Sequence, residues 1–258
     1  IGDMILMSEA RPVLVSAEAA RKQGIAVTLE QFLTPKTRAI YYNTPQNPTG
    51  VVFSRTEAEQ VANFATQHNL VVIADEAYED IVYDGEHVSI AALPNMAERT
   101  ITCFTLSKSY AMTGWRIGYV VADQRFMEPM RKVVLYTTNG VSTPVQWAAI
   151  TALETSPAFF AEKRESYRKR RDLLVSGLNE LGLELAIPAG AFYAFPRADA
   201  IHTDSRKAAS ILLDQAHIAT IPGIVFGPHG EGHLRFGYAV PTETIERGLE
   251  ALRKFLLP

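Results

Sequence analysis

The chain has a single cysteine, Cys103, among 258 residues. No disulfide can therefore form within one chain, which fits a reducing, cytoplasmic setting. No uninterrupted apolar run approaches the ~20 residues that a membrane-spanning helix needs. The start, Ile1-Gly2-Asp3-Met4, has no basic stretch followed by an apolar core, so it does not read as a signal peptide. It begins in mid-pattern and without an initiator methionine, as a piece of a longer protein would. There is no Cys-x-x-Cys, and the six histidines do not fall at ligand spacings, so no metal site is expected. Gly-x-Gly-x-x-Gly and Walker loops are absent too. A net charge of −3 lacks the positive excess that would draw nucleic acid or a membrane surface, and neither is expected as a partner. The one basic run, Arg168 to Arg171, reads as the solvated face of a helix.

What is present is ordinary globular material, 47% hydrophobic and 21% charged, enough for one large domain or two modest ones. Short apolar runs alternate with amphipathic ones. Residues 38–42 predict a strand that ends at Asn43. Ser54 with Glu57 fits a capping box for a helix over 55–69, with Val61, Phe64, Ala65 and His68 on one face. Residues 70–74 predict a buried strand ending at Asp75. Further strands are expected over 100–106, just before Lys108, and over 117–122. Apolar strands separated by helices imply an α/β fold, a mostly parallel sheet with helices on both faces. The carboxyl ends of its strands should share one edge, where ligands bind in such sheets. Asn47, Asp75 and Lys108 fall at or just past those ends. Later come helices from Thr143 to about 155 and from Pro157 to Leu181, a strand over 191–195, a helix near 205–216, a strand at 233–239 and a final helix from Thr242. A boundary near Ser156 divides a large domain, 1–155, from a smaller C-terminal α/β domain, 156–258.

Five side chains carry chemistry on their own account. Lys108 lies between two serines at the end of an apolar run. A lysine amine forms an imine with an aldehyde once deprotonated, and both burial and a nearby cation favour the neutral amine. Arg116 can be that cation, and its planar fork suits a phosphate. Thr105 and Ser107 can donate hydroxyls to the same phosphate. Asp75 ends a predicted central strand, where an unpaired carboxylate is costly. A protonated ring nitrogen is a fitting partner. Each has a plainer reading: a surface lysine, a rim salt bridge, helix caps, and a structural ion pair for Asp75.

Taken together, Thr105-Leu106-Ser107-Lys108 through Gly114-Trp115-Arg116 resembles the cofactor-lysine segment of the class I and II aminotransferases, the fold-type I enzymes that use pyridoxal 5′-phosphate. Asp75-Glu76-Ala77-Tyr78 is similar to the family's Asp-x-Ala-Tyr. Asn43-Thr44-Pro45-Gln46-Asn47-Pro48-Thr49-Gly50 is similar to its Asn-Pro-x-Asn-Pro-Thr-Gly, with Thr44 in place of the first proline. Pro222 to Gly227 matches a Pro-Gly-x-x-Phe-Gly turn. His233-Leu234-Arg235-Phe236 falls where the family has a substrate-binding arginine. The motifs occur in the family's order over nearly the whole chain.

The resemblance implies roles. Lys108 would carry the cofactor and act as general base and then acid. Asp75 would keep the ring cationic, Ala77 would pack on it, and Tyr78 and Asn47 would hydrogen-bond its phenolic oxygen. Thr105, Ser107 and Arg116 would hold its phosphate. Arg235 and Asn47 would hold the substrate carboxylate. The implied reaction moves an amino group between an L-amino acid and a 2-oxo acid, in a homodimer. A lyase or oxidase on the same scaffold, or a non-catalytic cofactor-binding regulator domain, stays open beside it. The chain departs from the pattern in three places. The family's N-terminal segment, with its phosphate loop, is not present. Ala10 to Leu14 lacks the aromatic that stacks on the ring. Ile25 to Thr37 is shorter than the family pattern.

Overall fold

The computed structural model describes residues 1–257. Three short helices open it, α1 (Gly2–Met7), α2 (Ala17–Gln23) and α3 (Ile25–Glu30). Then come strand β1 (Ala39–Asn43), helix α4 (Arg55–Gln67), strands β2 (Val71–Asp75) and β3 (Thr100–Thr105), the single turn α5 (Leu106–Ser109) and strand β4 (Gly118–Ala122).

The start of α4 follows from its sequence. The Ser54 hydroxyl accepts the Glu57 N–H, and the Glu57 carboxylate accepts the Ser54 N–H at 2.7 Å. Two N–H groups that the first helical turn leaves without partners are thereby satisfied. The helix buries Ala58, Val61, Ala62, Phe64 and Ala65. His68, expected on that face, sits one residue beyond the helix as its C-cap.

The four strands lie in the order β1-β2-β3-β4. β1, β2 and β3 are parallel, as expected, whereas β4 runs antiparallel to β3. The link from 106 to 117 holds only the single turn α5, which cannot return the chain across the sheet as a full crossover helix does. Gly118, and not the far end of β4, therefore stands beside Thr105 at the edge where the parallel strands end. One face of the sheet is dense, with Tyr42, Val72 and Ala74 packed into the cluster that holds the α4 side chains. The other face, carrying Tyr41, Asn43, Ile73, Asp75 and Cys103, is only part-buried. β4 leaves Tyr119, Val120 and Val121 exposed.

The rest of the chain forms α6 (Gln124–Thr137), α7 (Thr143–Leu153), α8 (Pro157–Glu180), β5 (Tyr193–Ala194), α9 (Ser205–Ala216), β6 (Ile221–Pro222), β7 (Leu234–Gly237) and α10 (Thr242–Leu256). Strands β5, β7 and β6 make a small antiparallel sheet. α6, which the sequence reading did not anticipate, is capped by Asp123 and has no buried residue. A second core joins Leu178, Leu212, Leu234 and Leu252 to Tyr78, Ile81 and Tyr83, from the segment just after β2. Buried Arg171 of α8 fastens the same segment, pairing with Asp84 at 2.6 Å and donating to the Pro188 carbonyl at 3.0 Å.

Replacing Ser54 by alanine should lower stability by about 1 kcal/mol. Urea unfolding should show a lower midpoint at an unchanged slope.

Candidate active site

The site is built from the ends of β1, β2 and β3, with β7 and β5 opposite. Alternation along β1 and β2 puts Tyr41, Asn43, Ile73 and Asp75 on one face, with Asn43 beside Asp75 in register. The Asn43 side chain links two neighbours. It donates to the Asp75 carbonyl at 2.9 Å, and its oxygen accepts the Asn47 N–H at 3.0 Å. The Asp75 carboxylate accepts the Ala77 N–H at 3.2 Å on Oδ1 and the Tyr41 hydroxyl on Oδ2.

The 44–50 loop is pressed onto the turn at 188–190. Gly190 donates its N–H to the Gly50 carbonyl at 2.8 Å. Gly50 has φ +70°, and a Cβ there would come within 2.5 Å of Pro188 Cβ. Only glycine serves there, since both conformation and space forbid a side chain.

That contact brings Asn47 to Arg235. The guanidinium Nη1 donates to Asn47 Oδ1 at 2.8 Å, and its carbon lies 4.3 Å from the centre of the Tyr193 ring and 5.0 Å from that of Phe226. Two aromatic faces and one hydrogen bond fix the fork while leaving other N–H donors for a ligand. Lys108 sits on α5 with Nζ 5.8 Å from the Phe192 ring centre and 5.9 Å from that of Tyr78. Burial lowers its pKa below the ordinary 10.5, and the charges of Arg235 and then Arg116 add to this, against Asp75. The sequence reading gave the cation's part to Arg116; Arg235 precedes it. Arg116 is exposed, at φ +52°, and donates Nη1 to the Thr113 carbonyl at 2.9 Å.

The remaining expected residues lie around this centre. Thr105 is the N-cap of α5 and accepts the Ser107 N–H at 3.2 Å, which is its plainer role and leaves its O–H as a donor. Ser107 is buried in the same turn. Tyr78 is buried, and its hydroxyl is within 2.9 Å of the Tyr193 hydroxyl. Cys103 lies opposite Asp75 on β3, half-buried, and burial followed by the Asp75 charge pushes its thiol up, so it stays protonated. Among the described residues, no group of three His, Cys, Asp or Glu could hold a metal ion, and no helix is long and apolar enough to cross a membrane.

Sequence reasoning missed several neighbours. Tyr41 was open to view through its even spacing from Asn43, the signal that puts both on the Asp75 face. Phe226 belonged to the Pro-Gly-x-x-Phe-Gly motif but, like Tyr193, carried no signal of its contact with Arg235, because both reach it through tertiary packing. Lys163 of α8 donates to the Ser109 carbonyl at 2.8 Å, holding the end of the turn that carries Lys108. Glu79 is a second part-buried acid near Asp75. Burial pushes its carboxyl up to about 8, with Asp80, Glu76 and Asp75 adding to the effect.

The donor set fits pyridoxal 5′-phosphate. It offers an amine poised toward its neutral form, a carboxylate held by two donors, hydroxyls on the turn that carries Lys108, and an exposed guanidinium, Arg116, whose charge acts on Lys108. Comparison with known proteins agrees. The family model for aminotransferase class I and II matches residues 5–252. An aromatic-amino-acid aminotransferase of Thermococcus litoralis is 39% identical over 256 residues, covering 98% of this chain and 66% of the relative. An aspartate aminotransferase of Pyrococcus abyssi gives the same figures. The crystal structure of an aromatic aminotransferase from Pyrococcus horikoshii superposes with a TM-score of 0.90 at 40% identity, over 96% of this chain and 67% of that one. The chain spans just under two thirds of the length of these curated relatives.

Glu79 has a pH signature. Its folded-state value of about 8 exceeds the ordinary 4.5, so between those limits the folded chain keeps a proton that the unfolded chain has lost. Stability from this group is present below pH 4.5 and drains away as pH rises through 8. Urea midpoints measured across that window should fall with pH more steeply in the wild type than in Glu79→Gln.

Proposed function

This chain belongs to the class I and II aminotransferases, a family dependent on pyridoxal 5′-phosphate, and on that premise we propose that the protein moves an amino group between an L-amino acid and a 2-oxo acid. The observation that carries the reading is Lys108, an amine whose proton affinity is lowered by burial and by the charge of Arg235, itself hydrogen-bonded to Asn47. When bound, the cofactor supplies a cationic ring able to accept an electron pair from the substrate carbon.

Each residue then has a defined task. Lys108 anchors the cofactor, takes the α-proton of the amino acid as general base and returns a proton as general acid. Its lowered pKa raises the share of amine free to accept that proton. Asp75 would pair with the ring nitrogen and keep it cationic. Ala77 would pack on the ring, while Tyr78 and Asn47 would hydrogen-bond its phenolic oxygen. Thr105, Ser107 and Arg116 would hold the phosphate. Arg235, locked between Tyr193 and Phe226, presents its remaining N–H groups to the substrate carboxylate beside Asn47. Ser156, the N-cap of α8, separates the domain that holds Lys108 from the one that holds Arg235.

The reading extends to assembly and setting. A homodimer accords with the exposed apolar side chains Val133, Leu135 and Tyr136 on α6 and Trp147 on α7. A cytoplasmic setting accords with the lone thiol.

The test uses the full-length protein saturated with pyridoxal 5′-phosphate and a panel of amino acids. One class of amino acid with a 2-oxo acid acceptor should support turnover. Borohydride should fix the cofactor to Lys108 in a peptide map. Lys108→Ala should lower turnover at least ~10²-fold. Release of ammonia without an acceptor, or full turnover by Lys108→Ala, would defeat the proposal.

A further inference from the structure

Neighbouring tyrosines on β1 are used in opposite ways. Tyr42 points into the dense core against Phe53, with ring centres 5.1 Å apart, and its buried hydroxyl has no partner among the described residues. Tyr41 points to the other face, 36% exposed, and its hydroxyl donates to Asp75 Oδ2. The register explains the reach. Tyr41 lies opposite Ile73 on the parallel neighbour, so Asp75 is its diagonal neighbour on the same face. An aromatic side chain spans that diagonal.

We propose that Tyr41 is a positioning residue, whose hydroxyl holds the Asp75 carboxylate in the orientation that pairs with a cationic ring nitrogen. The inference rests on the pyridoxal phosphate reading above and adds to it a residue outside the family motifs. The Ala77 N–H fixes one carboxylate oxygen and Tyr41 fixes the other. Two donors on two oxygens set the plane of the group, and each oxygen keeps a lone pair for a third partner. With Tyr41 gone, only the bond to Oδ1 would resist rotation about the Asp75 side chain. Burial, and then the bond to Asp75, raise the Tyr41 phenol well above its usual range, so it remains the donor throughout the working pH range. The nearby groups leave this role to Tyr41. Cys103, opposite on β3, is a raised and neutral thiol, and Tyr78 is engaged with Tyr193. Glu79 is neutral below about 8, Glu76 is turned to His87 and Ser89, Arg235 is hydrogen-bonded to Asn47, and Lys108 is a cation whose charge is felt together with that of Asp75.

The experiment measures binding, not turnover. Full-length wild type, Tyr41→Phe, Asp75→Asn and the double variant are titrated with pyridoxal 5′-phosphate. They are titrated in parallel with its analogue carrying carbon in place of the ring nitrogen. Tyr41→Phe keeps the ring and loses only the hydroxyl. It should weaken the natural cofactor ~tenfold and leave the analogue unchanged. The analogue is thus an internal control for folding. The double variant should bind the natural cofactor no more weakly than Asp75→Asn alone, since Tyr41 acts through Asp75. Unchanged cofactor affinity in Tyr41→Phe overturns the inference. So does equal weakening of both ligands, or an additive double variant. If wild type binds both ligands alike while Lys108 is still labelled by borohydride, the role of Asp75 fails and this inference with it, but the cofactor reading stands. If Lys108 is not labelled at all, both fail.

Discussion

The hydrogen bond from Arg235 to Asn47 joins residues 188 positions apart and closes the site around Lys108. Most of the local architecture serves it. Gly50 and Gly190 let the 44–50 loop lie against the 188–190 turn without side chains between them. Asn43 pins the same loop to the end of β2. Tyr193 and Phe226 sandwich the guanidinium so that its direction is set before any ligand arrives. A charge brought this close to a half-buried amine also works on that amine, and Arg235 stands ahead of Arg116 in favouring the neutral form of Lys108.

The electrostatics of the region follow from partial burial. Lys108 is pushed toward neutrality, and so is Glu79, because desolvation penalises the charged form of each. Asp75 instead has two donors, from the Ala77 backbone and the Tyr41 hydroxyl, the arrangement that suits a carboxylate kept for a cationic partner. Family membership gives these groups a cofactor to act upon.

Local features were readable in the sequence, and long-range ones were not. Ser54 and Glu57 announced α4, and the apolar runs ending in Asn43 and Asp75 announced β1 and β2, because caps and periodicity are short-range signals. Asp75 and Lys108 stood out by residue type at the ends of apolar runs, and Tyr78 and Arg235 through the motifs that resemble the family's. The direction of β4 was hidden, since it depends on what lies between two strands and not on either strand. α6 was missed because no buried face marks it. Tyr41 read as one more apolar strand residue until the register placed it diagonally from Asp75. The packing of Arg235 on Tyr193 and Phe226 was beyond reach for the same reason: rings that meet in space leave no spacing along the chain.

The most direct measurement is the pH dependence of Lys108 acylation in the cofactor-free, full-length protein, beside Arg235→Leu. Half-maximal reactivity of wild type should fall below the ordinary lysine value of 10.5, and it should move upward when the Arg235 charge is removed. A wild-type midpoint at or above 10.5, or one indifferent to Arg235, would contradict the claim that the closed site prepares this amine.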